Sequence, residues 1–121
     1  MKAHQRNEVK LMFYTDQGNQ MTIYDLIEEC HLAQDHLTDK QIFQVISCYP
    51  TSKWISVSKQ FLKGITNKHS LYGDDIYKLT GIIEFYHNTG EITHKQQWFV
   101  TQYLIRNWHQ LDITHYSYYM T

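Results

Sequence analysis

Residues 38–67 are TDKQIFQVISCYPTSKWISVSKQFLKGITN, and their pattern indicates a helical fold. On both sides of Pro50 the apolar side chains recur every three or four residues, which is the spacing of an amphipathic helix. Proline disfavours helical geometry in the residue that precedes it, so Tyr49 separates the two segments. The stretch therefore predicts one helix, a short turn, and a second helix that begins near Ser52.

The first of these helices carries its own start signal. Thr38 is followed three residues later by Gln41, a pair typical of the capping box that satisfies free amides at a helix N-terminus. The same signature recurs at residues 92–96, where Thr93 precedes Gln96. We interpret the recurrence as one capping chemistry used twice rather than as an internal duplication, because the intervals between copies differ and the flanking sequences do not align.

Helical spacing continues on both sides of this unit. Five helices are expected, over residues 22–34, 38–48, 52–67, 75–87 and 93–109. The side chains expected to be buried share the apolar faces of these helices. They are Leu26, Ile27, Val45, Ile46, Phe61, Ile83, Leu104 and Trp108. The sequence therefore predicts a mainly α fold, a single compact bundle of about five helices.

The chain ends show a different pattern. Strand spacing would place Val9, Leu11 and Phe13 on one face of residues 9–15, and residues 113–119 are rich in β-branched and aromatic residues, so the two ends could form a small two-stranded β ribbon. At 121 residues, with 42% apolar and 15% aromatic residues, the chain has the size and composition of one folded domain. We expect residues 1–121 to form a single helical domain that includes a helix-turn-helix-like unit at 38–67.

Composition also suggests where the protein resides. The N-terminus lacks the apolar core of a signal peptide, and no run of apolar residues approaches the roughly 18 that cross a bilayer. Two cysteines, Cys30 and Cys48, are too few for a disulfide scaffold and are expected as reduced, buried thiols. The expectation is a cytoplasmic protein with no membrane partner.

Charge is sorted along the chain although the net charge is only −1. Between Leu11 and Asp39 there are six acidic residues and no lysine or arginine, whereas between Lys40 and Gly73 there are five lysines and no acid. A basic block of this kind can meet an anionic partner, most obviously the phosphates of a nucleic acid.

The second helix of the pair places this charge on one face. Opposite its apolar stripe it carries side chains that can donate hydrogen bonds to phosphates and base edges. The candidate nucleic-acid-binding residues are Lys53, Ser56, Lys59, Gln60, Lys63, Asn67 and Lys68. Since a short helix pair is the layout of DNA-reading motifs, the leading hypothesis is a DNA-binding regulator. A homodimer would let two weak half-sites add.

A protein-binding inhibitor or adaptor is the alternative. Small Tyr-rich domains without catalytic motifs suit protein interfaces, and they are typical in style of the accessory proteins of phages and mobile elements. The residues for this role are acids of the first helix region and tyrosines of the C-terminal tail. They are Asp25, Glu28, Glu29, Asp35, Tyr116, Tyr118 and Tyr119.

Catalytic and metal chemistry find little support. Cys30, His31, His36 and Cys48 fall in one region, but their spacing matches no zinc pattern. No nucleophile sits in a glycine-flanked elbow and no glycine-rich phosphate loop is present. The expectation is therefore a protein that is not an enzyme and that uses no cofactor or metal.

Overall fold

The computed structural model describes residues 21–64 and 73–110, and these form five α-helices. The helices are α1 (Ile23–Leu32), α2 (Asp39–Ser47), α3 (Thr51–Gly64), α4 (Gly73–Thr89) and α5 (His94–Asn107), with 3₁₀ turns at Gln34–His36 and Trp108–Gln110. No strand occurs within the described ranges. The predicted mainly α bundle is confirmed, whereas both segments of the proposed β ribbon lie outside the described residues.

Threonine side chains start three of the helices. Thr22 Oγ1 accepts from the Asp25 amide at 3.1 Å at the start of α1. Both predicted capping boxes form: the Gln41 amide donates to Thr38 Oγ1 at 3.1 Å, and the Gln96 amide donates to Thr93 Oγ1 at 3.1 Å. In each box the glutamine side chain accepts in return from the threonine amide. The helix starts are therefore set by local hydrogen bonds.

The turn between α2 and α3 is held by the tryptophan that follows it. Pro50 supplies the first carbonyl of α3, which accepts from the Lys53 amide at 2.9 Å and the Trp54 amide at 3.3 Å. The Trp54 indole nitrogen reaches back and donates to the Ile46 carbonyl at 3.2 Å. Because the Trp54 side chain is fully buried, this bond ties the end of α2 to the start of α3.

Helix α5 lies at the centre of the bundle and contacts each of the other four α-helices. Its apolar side is buried at Val100, Leu104 and Ile105, and Trp108 in the following turn is 1% exposed. The Trp108 ring stacks on Phe61 of α3 with centroids 6.1 Å apart and planes 10° apart. These contacts make α5 the helix around which the core is organised.

Seven of the eight side chains predicted to be buried are buried. Ile46 is the exception and is half-buried, because it lies about 100° around α2 from the fully buried Val45 and so falls at the edge of the apolar face. Cys48 was expected inside a helix and buried, but it caps the end of α2 and is half-buried.

Helix α4 extends further than the periodicity predicts. It begins at Gly73 rather than Asp75, so Asp74 and Asp75 both lie in its first turn, where carboxylates favour the positive end of the helix. It ends at Thr89, and Gly90 follows with φ +83°, a left-handed conformation that stops the helix and favours glycine. Among the described residues, none of the helices has the length and apolar content needed to cross a membrane.

Candidate nucleic-acid interface

Helix α3 has two sharply different faces. One face is buried at Trp54, Val57 and Phe61, together with Ile55, Ser58 and Gly64. The opposite face is exposed and carries the following side chains: Ser52, Lys53, Ser56, Lys59 and Lys63. Since α3 contains no Asp or Glu, this exposed basic face, defined by these five residues, has no acid on its own helix. The buried face holds the helix in place, and the basic face remains open to a partner.

The structure brings together five of the seven predicted nucleic-acid-binding residues along this helix. Gln60 differs from the other four, because it is half-buried at the border between the two faces. Asn67 and Lys68 lie outside the described residues. The spacing of Ser52, Ser56, Lys59 and Lys63 places them one turn apart in sequence, so they form a continuous stripe.

A neighbouring helix contacts the middle of this stripe. Lys59 Nζ donates to Nε2 of His87, near the end of α4, at 3.3 Å. Glu84 lies one turn before His87 on α4 and is also exposed. The surface beside the basic face is therefore mixed in charge rather than uniformly positive.

The acids proposed for a protein partner are partly engaged inside the fold. Asp25, Glu28 and Glu29 are half-buried on α1. Both carboxylate oxygens of Glu28 lie within hydrogen-bond distance of His109 Nε2, at 2.9 and 3.0 Å. Asp35 is exposed in the turn after α1, and the three tyrosines of this alternative, Tyr116, Tyr118 and Tyr119, lie outside the described residues. The described acids thus do not form one freely exposed face.

Two histidine rings join α1 to the end of α5. His31 Nδ1 donates to the Ile105 carbonyl at 2.6 Å, and the His31 and His109 rings have centroids 4.1 Å apart. With the Glu28–His109 pair, these contacts fasten the turn at Trp108–Gln110 to α1. In the part of the chain that the structure describes, no three histidine, cysteine or carboxylate side chains are grouped so that they could hold a metal ion.

Both cysteines are free thiols whose ionisation is suppressed. Burial, with smaller contributions from Glu29 and Cys48, raises the pKa of the Cys30 thiol from 9.0 to about 12. Burial also raises the pKa of Cys48. Since the thiolate is the reactive form of cysteine, neither residue is set up as a nucleophile at neutral pH.

An open groove of about 300 Å³ lies between the Gln34–His36 turn, α2 and α5. Its walls carry two acids, Asp35 and Asp39, and one cation, Arg106, with Gln34, Leu37, Ile42, Gln102 and Ile105 completing the lining. Among the described residues, Arg106 forms no ion pair with either acid of the groove. Opposed charges of this kind leave the groove with little net preference for an anion.

A partly exposed aromatic pair is the feature that sequence reasoning missed. Phe43 of α2 is 57% exposed, and its ring lies 4.9 Å from that of Trp98 of α5, which is half-buried. Phe43 follows the buried Ile42 directly and therefore lies outside the apolar face of α2. This position was the feature of the sequence that could have predicted its exposure. Trp98 and Phe99 of α5 are both half-buried against the core, and Lys78 Nζ lies 4.5 Å from the Phe99 ring centroid.

Comparison with known proteins gives no lead to a function. We find no protein-family model, no curated protein and no solved structure that matches this chain. The functional argument therefore rests on the residues and their geometry.

Proposed function

We propose that this protein is a non-enzymatic nucleic-acid-binding protein that docks the exposed basic face of α3 against a phosphate backbone. The observation that supports the proposal is the division of α3 into a fully packed face and an exposed face of lysines and serines. Lysine side chains neutralise phosphates, and serine hydroxyls can donate to phosphate oxygens.

The packing of α3 favours this role over a merely solvated surface. Trp54 anchors the start of the helix to α2, while Phe61 contacts Tyr103 of α5 edge to face at 5.8 Å and stacks on Trp108. A helix fixed at several points presents its exposed side chains in one orientation, so less ordering is needed when a partner binds. Duplex DNA is the proposed partner, because a helix fits the width of its major groove.

The test is a salt series with the double variant Lys59→Glu/Lys63→Glu and a duplex of random sequence. Each lost phosphate contact should reduce the slope of log affinity against log salt by about 0.9, so the variant should lose roughly two units of slope. Folding should persist, because both lysines are exposed, and circular dichroism would verify it.

The matched control is Lys78→Glu/Arg106→Glu, which makes the same change in net charge on exposed positions of α4 and α5. Its duplex affinity should remain close to that of the wild type, apart from the effect of overall charge. Equal weakening by both double variants would show that only net charge matters. An absence of duplex binding at low salt would contradict the proposal and would make the protein-binding alternative the leading hypothesis.

A further inference from the structure

The two capping signatures share more than the threonine and glutamine of the capping box. Each continues from its Thr-x-Lys-Gln start to an aromatic residue and then a valine: Phe43 and Val45 follow Thr38, and Trp98 and Val100 follow Thr93 at the same spacing. Both valines are fully buried, and both starts form complete capping boxes. The start of α2 and the start of α5 are therefore equivalent structural units.

The fold brings the aromatic residues of these two units together. The Phe43 and Trp98 rings lie 4.9 Å apart with their planes at 58°. The Phe43 side chain is large and apolar, yet it is 57% exposed. Burying an aromatic ring of this size stabilises a fold, so the exposed Phe43 ring beside the half-buried Trp98 ring marks an interaction surface where the two helices meet.

Each ring has a lysine on the same side of its helix. Lys40 precedes Phe43 by three residues, and Lys95 precedes Trp98 by three residues, a spacing that places the members of each pair on one helix face. Both lysines are exposed, and within the described ranges neither forms a hydrogen bond or an ion pair. Asp39, at the first position of α2, is the carboxylate closest in sequence and lowers the local positive charge without cancelling it.

We propose that Lys40, Phe43, Lys95 and Trp98 form a binding surface for single-stranded nucleic acid, with bases stacking on the exposed Phe43 ring and on the accessible part of the Trp98 ring, and phosphates contacting the lysines. This aromatic-lysine surface rests on the proposed function, because it extends nucleic-acid binding to a second surface and a second class of strand. Proteins that bind single strands combine cationic side chains with aromatic rings, since every base offers a face for stacking.

The chemistry favours a single strand over a duplex at this surface. In a duplex the bases are already stacked on one another, so exposed rings gain little from them, whereas an unpaired base can stack on protein. A purely apolar partner would leave two lysines without counter-ions. Asp35 and Asp39 lie on the wall of the groove beside the C-terminal half of α5. Their negative charges limit the extent of the positive surface around Lys40.

Tryptophan fluorescence offers a direct test of this surface. The chain has three tryptophans, and Trp54 and Trp108 are 0% and 1% exposed, so Trp98 is the one that a base can reach. Titration of the full-length protein with oligo(dT) at low salt should quench the emission. Binding would be followed in parallel by the anisotropy of a labelled oligo(dT).

The variants separate stacking from charge. Phe43→Ala should weaken oligo(dT) binding by about 5- to 150-fold, the range expected for one lost stacking contact. Lys40→Glu/Lys95→Glu should weaken it and flatten its salt dependence. Trp98→Phe should keep most of the affinity, because a ring remains, but should abolish the quenching.

Lys59→Glu/Lys63→Glu serves as the control that distinguishes this surface from the basic face of α3. Retained oligo(dT) quenching together with lost duplex binding would support two separate surfaces. If oligo(dT) binding were lost only in this control and unchanged in the Phe43 and Lys40/Lys95 variants, the aromatic-lysine surface would be excluded while the proposed function stood. Failure to bind either oligo(dT) or duplex would overturn both proposals, and capture of oligo(dT) without quenching would place its site elsewhere.

Discussion

Helices α2 and α5 begin in the same way and end in very different positions in the fold. Both start with a threonine capping box whose amide-to-hydroxyl distance is 3.1 Å. Helix α2 has 9 residues and stops before Pro50, whereas α5 has 14 residues and contacts all four other α-helices. A local signal therefore sets where each helix begins, while the residues that follow set its length and how deeply it is buried in the core.

The largest effect should come from the core side of α5. Leu104 is fully buried, and Leu104→Ala should lower the free energy of unfolding by about 2–5 kcal/mol, through lost apolar burial and the cavity left behind. Urea denaturation followed by circular dichroism would measure the loss. A change below about half a kcal/mol would show that α5 is not the centre of the core.

A matched pair of substitutions compares the two helices directly. Val45 and Val100 occupy equivalent positions and are both fully buried, so replacing each by alanine removes the same groups. Each change should cost about 1–3 kcal/mol. Val100→Ala should cost more, because neighbours on several sides prevent the cavity around α5 from collapsing. Equal losses in the free energy of unfolding would mean that a buried valine stabilises the fold no more in the central helix α5 than in α2.

The capping boxes should show the opposite result, with equal effects. Thr38→Ala and Thr93→Ala each remove one side-chain acceptor from the same geometry, and each should lower stability by about 1 kcal/mol. Thermal or urea unfolding of the two variants would give the comparison. Restoration by serine at either position would confirm that the hydroxyl is responsible. A clearly larger loss at Thr93 would show that the start of α5 depends on tertiary contacts as well.

The smallest effect concerns the two thiols, one in the core and one at the end of α2. The pKa of Cys30 is raised from 9.0 to about 12 by burial. The folded state therefore favours the neutral thiol, and the stability this provides is complete below pH 9.0 and is lost as the pH rises toward about 12. The loss should be on the order of half a kcal/mol at pH 9.

Unfolding measured between pH 7 and pH 9.5 would test this, with Cys30→Ala flattening the dependence. Cys48→Ala is the control, because Cys48 is half-buried and its pKa is raised by burial alone. Tyr103, whose pKa is raised from 10.0 to about 12 mainly by burial, adds a further loss only at higher pH. An unchanged pH dependence in Cys30→Ala would contradict the assignment.

Much of the helical layout was predictable because its causes are local. The Thr38 and Thr93 boxes and the break at Pro50 were all visible in the sequence, since capping acts within one turn and proline acts on its neighbour. Apolar periodicity located Leu26, Phe61 and Leu104 in the core. The error at Ile46 shows the limit of this signal, because periodicity places a side chain on a face but does not define where that face ends.

The candidate sites were predictable only in part. The exposure of Lys59 and Lys63 followed from their position opposite the apolar stripe of α3. The contact of Lys59 with His87 and the pairing of Phe43 with Trp98 join residues far apart in the chain. No spacing within either helix encodes them.

The amino-acid sequence was enough to predict the number of α-helices in the described chain, the capped starts of α2 and α5, most of the buried positions and the sorting of charge. Tertiary structure alone decided that α5 is central, that two equivalent helix starts bring their rings together, and that Glu28 is engaged with His109 rather than exposed. The physical reason is range. Hydrogen bonds in caps and the helical period act over three or four residues, whereas contacts between helices depend on how all the buried faces pack at once.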